Sequence, residues 1–460
     1  MNSQKLTSPL NPVFFLVAVS SFVFFFRLGH GSLTSWDEAI YGTVAREVLK
    51  SDHWLRPTFQ SGLWLEKPPL CIWVIAFLYK IFGINEFTVR FFSAACGLGT
   101  VLVTYFIGSR LFNRWIGFLS GMFLVTSKHF PHYARLGAMD APLVFFISLA
   151  LLFFWLGRKK KIYFSLFGIA LGLAFLTKGV AAAFVIFITW IYCWWGDELS
   201  ILKRPSYWLG ILICVMIVIP WNAYEVFVYP HTYAVDLHRE IFMRITEAVE
   251  GHKGDLGYYF YVIFSKYRPW IILLLFSLPF FIFKTVRSKS KEMIFITTWI
   301  FFIFGSLTLV RTKLHWYVLP VYPALSICVA YAFAQVIKEK YLFLVAGMFL
   351  ITIPFHAHDH FFKLDYNPDL KSISASVKNI VPERTTVSLY NSDERHACLF
   401  YTERSATSLH SEEDFMTSAK QADFYCLIYE KDLKSLNMAR TNLHLITRAS
   451  AGKLLLLSRV

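Results

Sequence analysis

Asp37 and Glu38 stand side by side in TSWDEAIYG (34–42), one short turn after an apolar stretch of membrane-spanning length. WLEKPPL (64–70) brings Glu66 and Lys67 ahead of Pro68-Pro69. ARLGAMDAPL (134–143) adds Arg135 and Asp140, and FLTKGV (175–180) adds Lys178. RTKLHWYVLPVYPAL (311–325) adds Arg311, Lys313 and Tyr317. A carboxylate can take the proton of a hydroxyl nucleophile. A lysine beside a helix start can hold an anion, because the free amides and the helix dipole both favour negative charge there. Acids and bases drawn from distant loops to one membrane depth suit a site for an anionic amphiphile.

Each residue also has a plainer reading. Ser35-x-x-Glu38 fits a capping box, and Asp37 suits the positive end of a helix. Ile40, Val44 and Val48 share a face, so residues 36–50 read as a helix lying in the interface, with Asp37 and Tyr41 projecting from one side. Residues 68–82 are short for a span and read as a second interfacial or re-entrant helix started by the two prolines. For Lys67 the plain alternative is snorkelling to headgroups.

The elements that must position these residues follow from composition. Of 460 residues 56% are hydrophobic and only 16% charged, with a mean hydropathy of +0.50. A soluble chain carries about a quarter charged residues, so this is a polytopic membrane protein. Helices are expected at about 11–29, 88–111, 115–132, 140–157, 162–178, 180–196, 206–226, 258–284, 292–309, 316–336 and 341–357. Residues 13–26 lack a following small-residue cleavage site and read as a retained first helix. Lys5 favours a cytoplasmic N-terminus, and the basic runs at 110–114, 158–161, 202–205, 284–291 and 338–340 then all fall inside. The net charge of +15 is thereby a topological signal, and no nucleic-acid partner is expected.

The outer face receives the loop of about 30–87, the segment of about 227–257 and everything from 359. The tail reads as a small α/β domain. Asn367 and Pro368 start a helix, TTVSLY and ADFYCLIY are strands, and a hairpin turns at Ala451-Gly452. The expected division is a membrane domain over 1–358 and a tail domain over 359–460. Cys96, Cys193, Cys214 and Cys328 lie in apolar spans. Cys398 and Cys426 fall in the tail and can pair there if the compartment is oxidising.

WDEAIY, EKPPLCIW, ARLGAMDAPL, LGLAFLTKG and KLHWYVLPVYPAL resemble, in that order, the landmarks of bacterial lipid-linked-sugar glycosyltransferases of the GT-C superfamily. The nearest in pattern are the lipid A aminoarabinose transferases and the protein O-mannosyltransferases. The resemblance covers about 30–325 and implies a GT-C fold of about eleven transmembrane helices, interfacial helices in the first outer loop and a C-terminal α/β soluble domain. It implies a polyprenyl-phosphate sugar donor and, as acceptor, lipid A, another lipopolysaccharide-type glycan or a protein. By it Asp37 and Asp140 are catalytic acids. Lys67 binds the donor phosphate with Lys178, Arg135 and Glu38 in support, and Tyr41 and Tyr317 line the lipid cavity. No cofactor is required; family members can bind a divalent ion, for which Glu66 and His252 are the matching positions. The location implied is the bacterial inner membrane, with active site and tail periplasmic.

Two other classes compete. A transporter or flippase of a lipid-linked sugar would place charges and broken helices near the bilayer midplane, whereas these acids lie at loop edges. A non-catalytic assembly protein would not need Asp37, Lys67 and Asp140 together.

Overall fold

The computed structural model describes residues 11–60, 62–362, 365–436 and 445–459. Helix starts follow local sequence. Asn11 caps Pro12–Phe25, its side chain accepting from the Val13 amide at 3.0 Å, with Pro12 at the first position. Asn113 caps Arg114–Val125 in the same way, accepting from Ile116 at 2.9 Å. Pro205 opens Pro205–Val228.

Each expected apolar segment is helical, but its continuity differs. Among the described residues seven helices are long and apolar enough to cross a membrane: Glu86–Leu111, Asp140–Gly157, Tyr163–Trp195, Pro205–Val228, Ile271–Ser288, Lys291–Leu309 and His315–Val336. The expected count of eleven is therefore not confirmed. Pro12–Phe25 and Arg114–Val125 have 14 and 12 residues, about 20 Å of helix against a hydrocarbon core of about 30 Å. The expected 258–284 helix is two, Tyr258–Lys266 and Ile271–Ser288, interrupted around Pro269, whose missing amide hydrogen cannot continue a helical ladder. The separate 162–178 and 180–196 helices are joined by a 3-10 stretch, Gly179–Ala183.

Two compact units result. The first comprises Met1–Leu28, Leu65–Cys71 and Phe91–Phe361; the second comprises Gly29–Trp64, Ile72–Arg90 and Phe362–Val460. The division thus differs from a single cut at 358/359, because most of the first outer loop packs with the tail.

In the first unit, opposite ends of one helix carry opposite chemistry. Asp140–Gly157 begins with an acid and ends beside Arg158. At that far end Glu198 accepts from Arg158 at 2.8 Å and from Lys291 at 2.6 Å, and Arg204 donates to the Arg158 carbonyl at 3.0 Å. Residues from two of the basic runs thus converge on one carboxylate, and a third run joins them through the Arg158 carbonyl, at one end of the helices.

In the second unit the helix Asp37–Ser51 carries the first motif. It was expected to lie in the interface, yet Ala39, Tyr41, Val44, Ala45 and Val48 are buried in protein. Arg46 donates to the carbonyls of Phe400 at 2.7 Å and Leu399 at 3.1 Å, drawing the helix onto Arg395–Thr402. Gly42 makes that approach possible, since a Cβ there would meet the Phe400 ring at 2.9 Å. The tail sheet has strands β3 (Val387–Tyr390), β4 (Ala406–Leu409), β5 (Tyr425–Tyr429), β6 (Leu445–Ala451) and β7 (Leu454–Arg459) in the order β4-β3-β5-β7-β6. A two-residue-strand hairpin, β1 (Thr58–Phe59) and β2 (Gly62–Leu63), precedes them in the chain. β3 runs parallel to β4 and β5, while β7 is antiparallel to β5 and β6. The expected hairpin turns at Gly452, whose φ of +54° suits glycine and where a Cβ would run into the Asp369 carboxylate. Asn367 precedes Pro368–Ile380 as expected but makes no side-chain cap. Cys398 and Cys426 are both buried free thiols, so they do not pair.

Candidate functional site

The first unit contains a run of charged contacts at the end of the helices opposite Glu198. Lys67, just before Pro68-Pro69, places its Nζ 2.5 Å from Glu240 Oε2. Arg244 grips the same carboxylate, Nε to Oε2 at 3.1 Å and Nη2 to Oε1 at 3.0 Å. Its Nη1 donates to the Tyr317 hydroxyl at 3.1 Å. The Lys178 Nζ lies 5.3 Å from the centre of the Tyr317 ring and 2.7 Å from Asp140 Oδ1. Lys67, Lys178, Asp140 and Tyr317, four residues singled out by sequence, therefore belong to one connected set. Sequence reasoning missed Glu240 and Arg244; the only signal was their i, i+4 spacing in REIFMR (239–244).

Local structure explains each position. Lys178 ends its helix, and Gly179 follows with a φ of +57°. Asp140 is the first residue of its helix and is only 4% exposed, so it needs the Lys178 cation. That places it as an orienting partner of Lys178 rather than as an open acid.

Two other basic residues of these loops, Arg135 and Lys313, are structural. Arg135, fully buried, donates to the carbonyls of Val23 at 2.7 Å, Phe24 at 3.1 Å and Phe26 at 2.8 Å, satisfying the end of the first helix. It leaves the donor-binding set. Lys313 donates to Leu307 at 2.8 Å and Thr308 at 2.7 Å, closing the end of Lys291–Leu309.

Around Lys67 the charges balance. Burial raises Glu66 above the usual carboxylate range, with Lys67 and Arg239 acting against it and Glu240 and Asp236 adding to it. Burial likewise raises Asp236. Burial also acts to raise Glu240, but Lys67 and Arg244 outweigh it and hold Glu240 below its ordinary value. Among the described residues no group of three His, Cys, Asp or Glu side chains converges to hold a metal ion. No step is assigned to a metal.

In the second unit Asp37 is half-buried at the start of its helix. Glu38 does not form the expected capping box. It is 1% exposed and pairs with the fully buried Arg90, Oε1 to Nε at 2.6 Å and Oε2 to Nη2 at 3.2 Å, while accepting from the Thr34 amide at 2.9 Å. It is thus committed to structure and leaves the substrate-binding set. Glu38→Ala would strand the Arg90 charge, so stability should fall by about 3–5 kcal/mol; thermal unfolding in detergent measures this. Tyr41 is buried edge-on to Trp64, with ring centres 6.0 Å apart.

The backbone leading into Asp37 is held by side chains of the tail. Asp365 accepts from the Ser32 amide at 2.8 Å and its hydroxyl at 2.6 Å. The Tyr401 hydroxyl accepts from the Leu33 amide at 2.7 Å, and Asn367 donates to the Leu33 carbonyl at 2.8 Å. His396 Nδ1 donates to the Ser35 carbonyl at 2.8 Å, and its ring lies 5.4 Å from that of Trp36. Sequence had no means of finding this clamp, since its halves are more than 330 residues apart.

Burial, then Arg395, push His396 down from its ordinary 6.5 to about 4, against the Ser35 hydrogen bond. A histidine lowered by folding stabilises the protein fully above the unfolded value and loses that contribution as pH falls toward the folded one. The clamp should therefore weaken between pH 6.5 and about 4, by at most on the order of 3 kcal/mol. Thermal unfolding across that window measures it, and His396→Asn should flatten the dependence.

Residues 14–235 match the family model described as dolichyl-phosphate-mannose-protein mannosyltransferase. An uncharacterised protein of Aquifex aeolicus is 31% identical over 346 residues, 74% of this chain and 77% of the relative. An undecaprenyl phosphate-alpha-4-amino-4-deoxy-L-arabinose arabinosyl transferase of Pseudomonas fluorescens is 26% identical over 314 residues, covering 66% of this chain and 54% of that enzyme. The match therefore spans about half the length of that curated transferase. The crystal structure of ArnT from Cupriavidus metallidurans bound to undecaprenyl phosphate superposes with a TM-score of 0.79 at 18% identity, covering 97% of both chains. Sequence and fold agree to this extent: residues 14–235 carry the match to the mannosyltransferase family model, and the chain shares its fold with the ArnT crystal structure.

Proposed function

We propose that the chain is a multi-pass membrane glycosyltransferase that moves a sugar from a polyprenyl-phosphate donor to lipid A or a related lipopolysaccharide acceptor on the periplasmic face of the bacterial inner membrane. The observation that carries this reading is the connected set of Lys67, Arg244, Tyr317 and Lys178, cationic and hydroxyl groups gathered at the acid-bearing end of the helices. In transfer the bond between the anomeric carbon and the phosphate oxygen breaks, and its electron pair goes to the phosphate. Fixed cations stabilise that growing charge. The acceptor oxygen bonds to the anomeric carbon, and for a hydroxyl acceptor its proton passes to the Asp37 carboxylate. Asp140 holds the Lys178 ammonium in place. The PMT match, and the undecaprenyl phosphate named in the ArnT structure, support a lipid-linked donor.

The basic clusters gathered around Glu198 support a cytoplasmic position for that end. A Cys introduced at Ser372 should then react with a thiol probe confined to the periplasm, and one at Ser288 should not. The reverse pattern would place Asp37 in the cytoplasm and end this reading. For the acceptor, mass spectrometry of lipid A from a deletion strain should show loss of one sugar mass, restored by the wild-type gene. Unchanged lipid A with altered glycoprotein would assign a protein acceptor instead.

A further inference from the structure

We propose that Glu240 is a built-in stand-in for the donor phosphate: its carboxylate occupies an anion seat made by Lys67 and Arg244, and donor binds by exchange for it. This rests on the reading of Lys67 and Arg244 as phosphate ligands, and it adds Glu240 as the group displaced.

The geometry is that of an occupied anion site. One Glu240 oxygen lies 2.5 Å from Lys67 and 3.1 Å from Arg244, and the other lies 3.0 Å from Arg244. A guanidinium fork across two oxygens, with an ammonium on one of them, matches two non-bridging phosphate oxygens equally well. None of the three side chains is sealed from solvent: they are 16%, 23% and 14% exposed for Lys67, Glu240 and Arg244.

Charge balance says that something must leave. Lys67, Arg239 and Arg244 face Glu66, Asp236 and Glu240, three cations against three acids. A phosphate added to that set meets the carboxylate already between the two cations at contact distance. Glu240 is the acid in contact with both Lys67 and Arg244, so it is the anion in the seat.

The backbone says which partner moves. Thr312 and Arg311 donate to the carbonyls of Arg244 and Ile245, both at 3.1 Å, which anchors the arginine end. Glu240 instead sits on a π-helical turn, His238–Met243, whose surplus residue can be taken up by rewinding. The exchange also serves turnover. A donor phosphodiester carries one negative charge, and the released monoester carries up to two. Lys67 and Arg244 hold the product more strongly than the donor, and the returning Glu240 carboxylate helps to expel it.

The test is equilibrium binding of undecaprenyl phosphate to the purified full chain, with undecaprenol as the uncharged control. Glu240→Gln should tighten undecaprenyl phosphate binding roughly tenfold, the effect of one partly solvated charge at contact distance, and leave undecaprenol unchanged. Glu240→Asp, which keeps the charge but reaches the seat less well, should tighten binding by a smaller factor, and Arg244→Ala should bind more weakly. Unchanged or weaker binding by a folded Glu240→Gln overturns the exchange. If Glu240→Gln fails to fold, Glu240→Asp decides: a shorter carboxylate reaches the seat less well, so binding no tighter than wild type overturns the exchange too. Undecaprenyl phosphate binding unaffected by Lys67→Ala would instead overturn the donor reading itself, and the two failures are thus distinguishable.

Discussion

Asp37→Asn should lower sugar transfer by about 10²–10⁴-fold, the span ascribed to one positioned general base, without changing insertion or thermal unfolding. The substitution removes the proton acceptor at nearly constant volume. Asp37 is half-buried at a helix start. The neighbouring Glu38 is the contrasting control. Its substitution should act through stability, because Arg90 is fully buried against it. Turnover and unfolding temperature, measured on both variants, should separate cleanly: activity lost with stability kept for Asp37→Asn, stability lost for Glu38→Ala. Wild-type turnover by Asp37→Asn removes the residue from the mechanism.

Lys67→Ala should cost about 10²-fold or more in turnover, the typical loss when one fixed donor to a developing anion is removed. The effect should appear in donor KM as well as kcat, since the ammonium meets the phosphate before and after bond cleavage. It also leaves Glu240 held by Arg244 alone. Lys67→Arg should recover part of the activity, because the charge is kept while the point geometry is not. A KM and kcat equal to wild type in Lys67→Ala would show that the phosphate is bound elsewhere.

The sequence showed the charged landmarks because polar groups in an apolar chain are costly and must serve something. Lys67, Asp140, Lys178 and Tyr317 stood out for that reason, and they fall into one connected set. Spacing arguments failed where the true partner is remote. Ser35 and Glu38 have capping-box spacing, yet the buried Arg90 competes for Glu38 and wins with two charge-assisted hydrogen bonds. Arg135 looked like an anion ligand, but three carbonyls at the end of the first helix take its guanidinium. Hydrophobic spacing found the helix at Asp37–Ser51 but not its surroundings, because an amphipathic face does not reveal whether lipid or protein covers it. Arg46, reaching the carbonyls of Leu399 and Phe400, decides for protein. In the tail, Gly452 made the hairpin readable, while the clamp of Asn367, His396 and Tyr401 on residues 32–35 depends on pairings that no local pattern encodes.

The donor assay tests the central claim most directly. Purified protein in lipid receives lipid A with either a polyprenyl-phosphate sugar or a nucleotide sugar, and glycosylated acceptor and free polyprenyl phosphate are quantified together. Transfer should occur from the polyprenyl donor alone, releasing one polyprenyl phosphate per sugar moved, and should collapse in Asp37→Asn and Lys67→Ala. Transfer from the nucleotide sugar without any polyprenyl carrier, undiminished by Lys67→Ala, would contradict it.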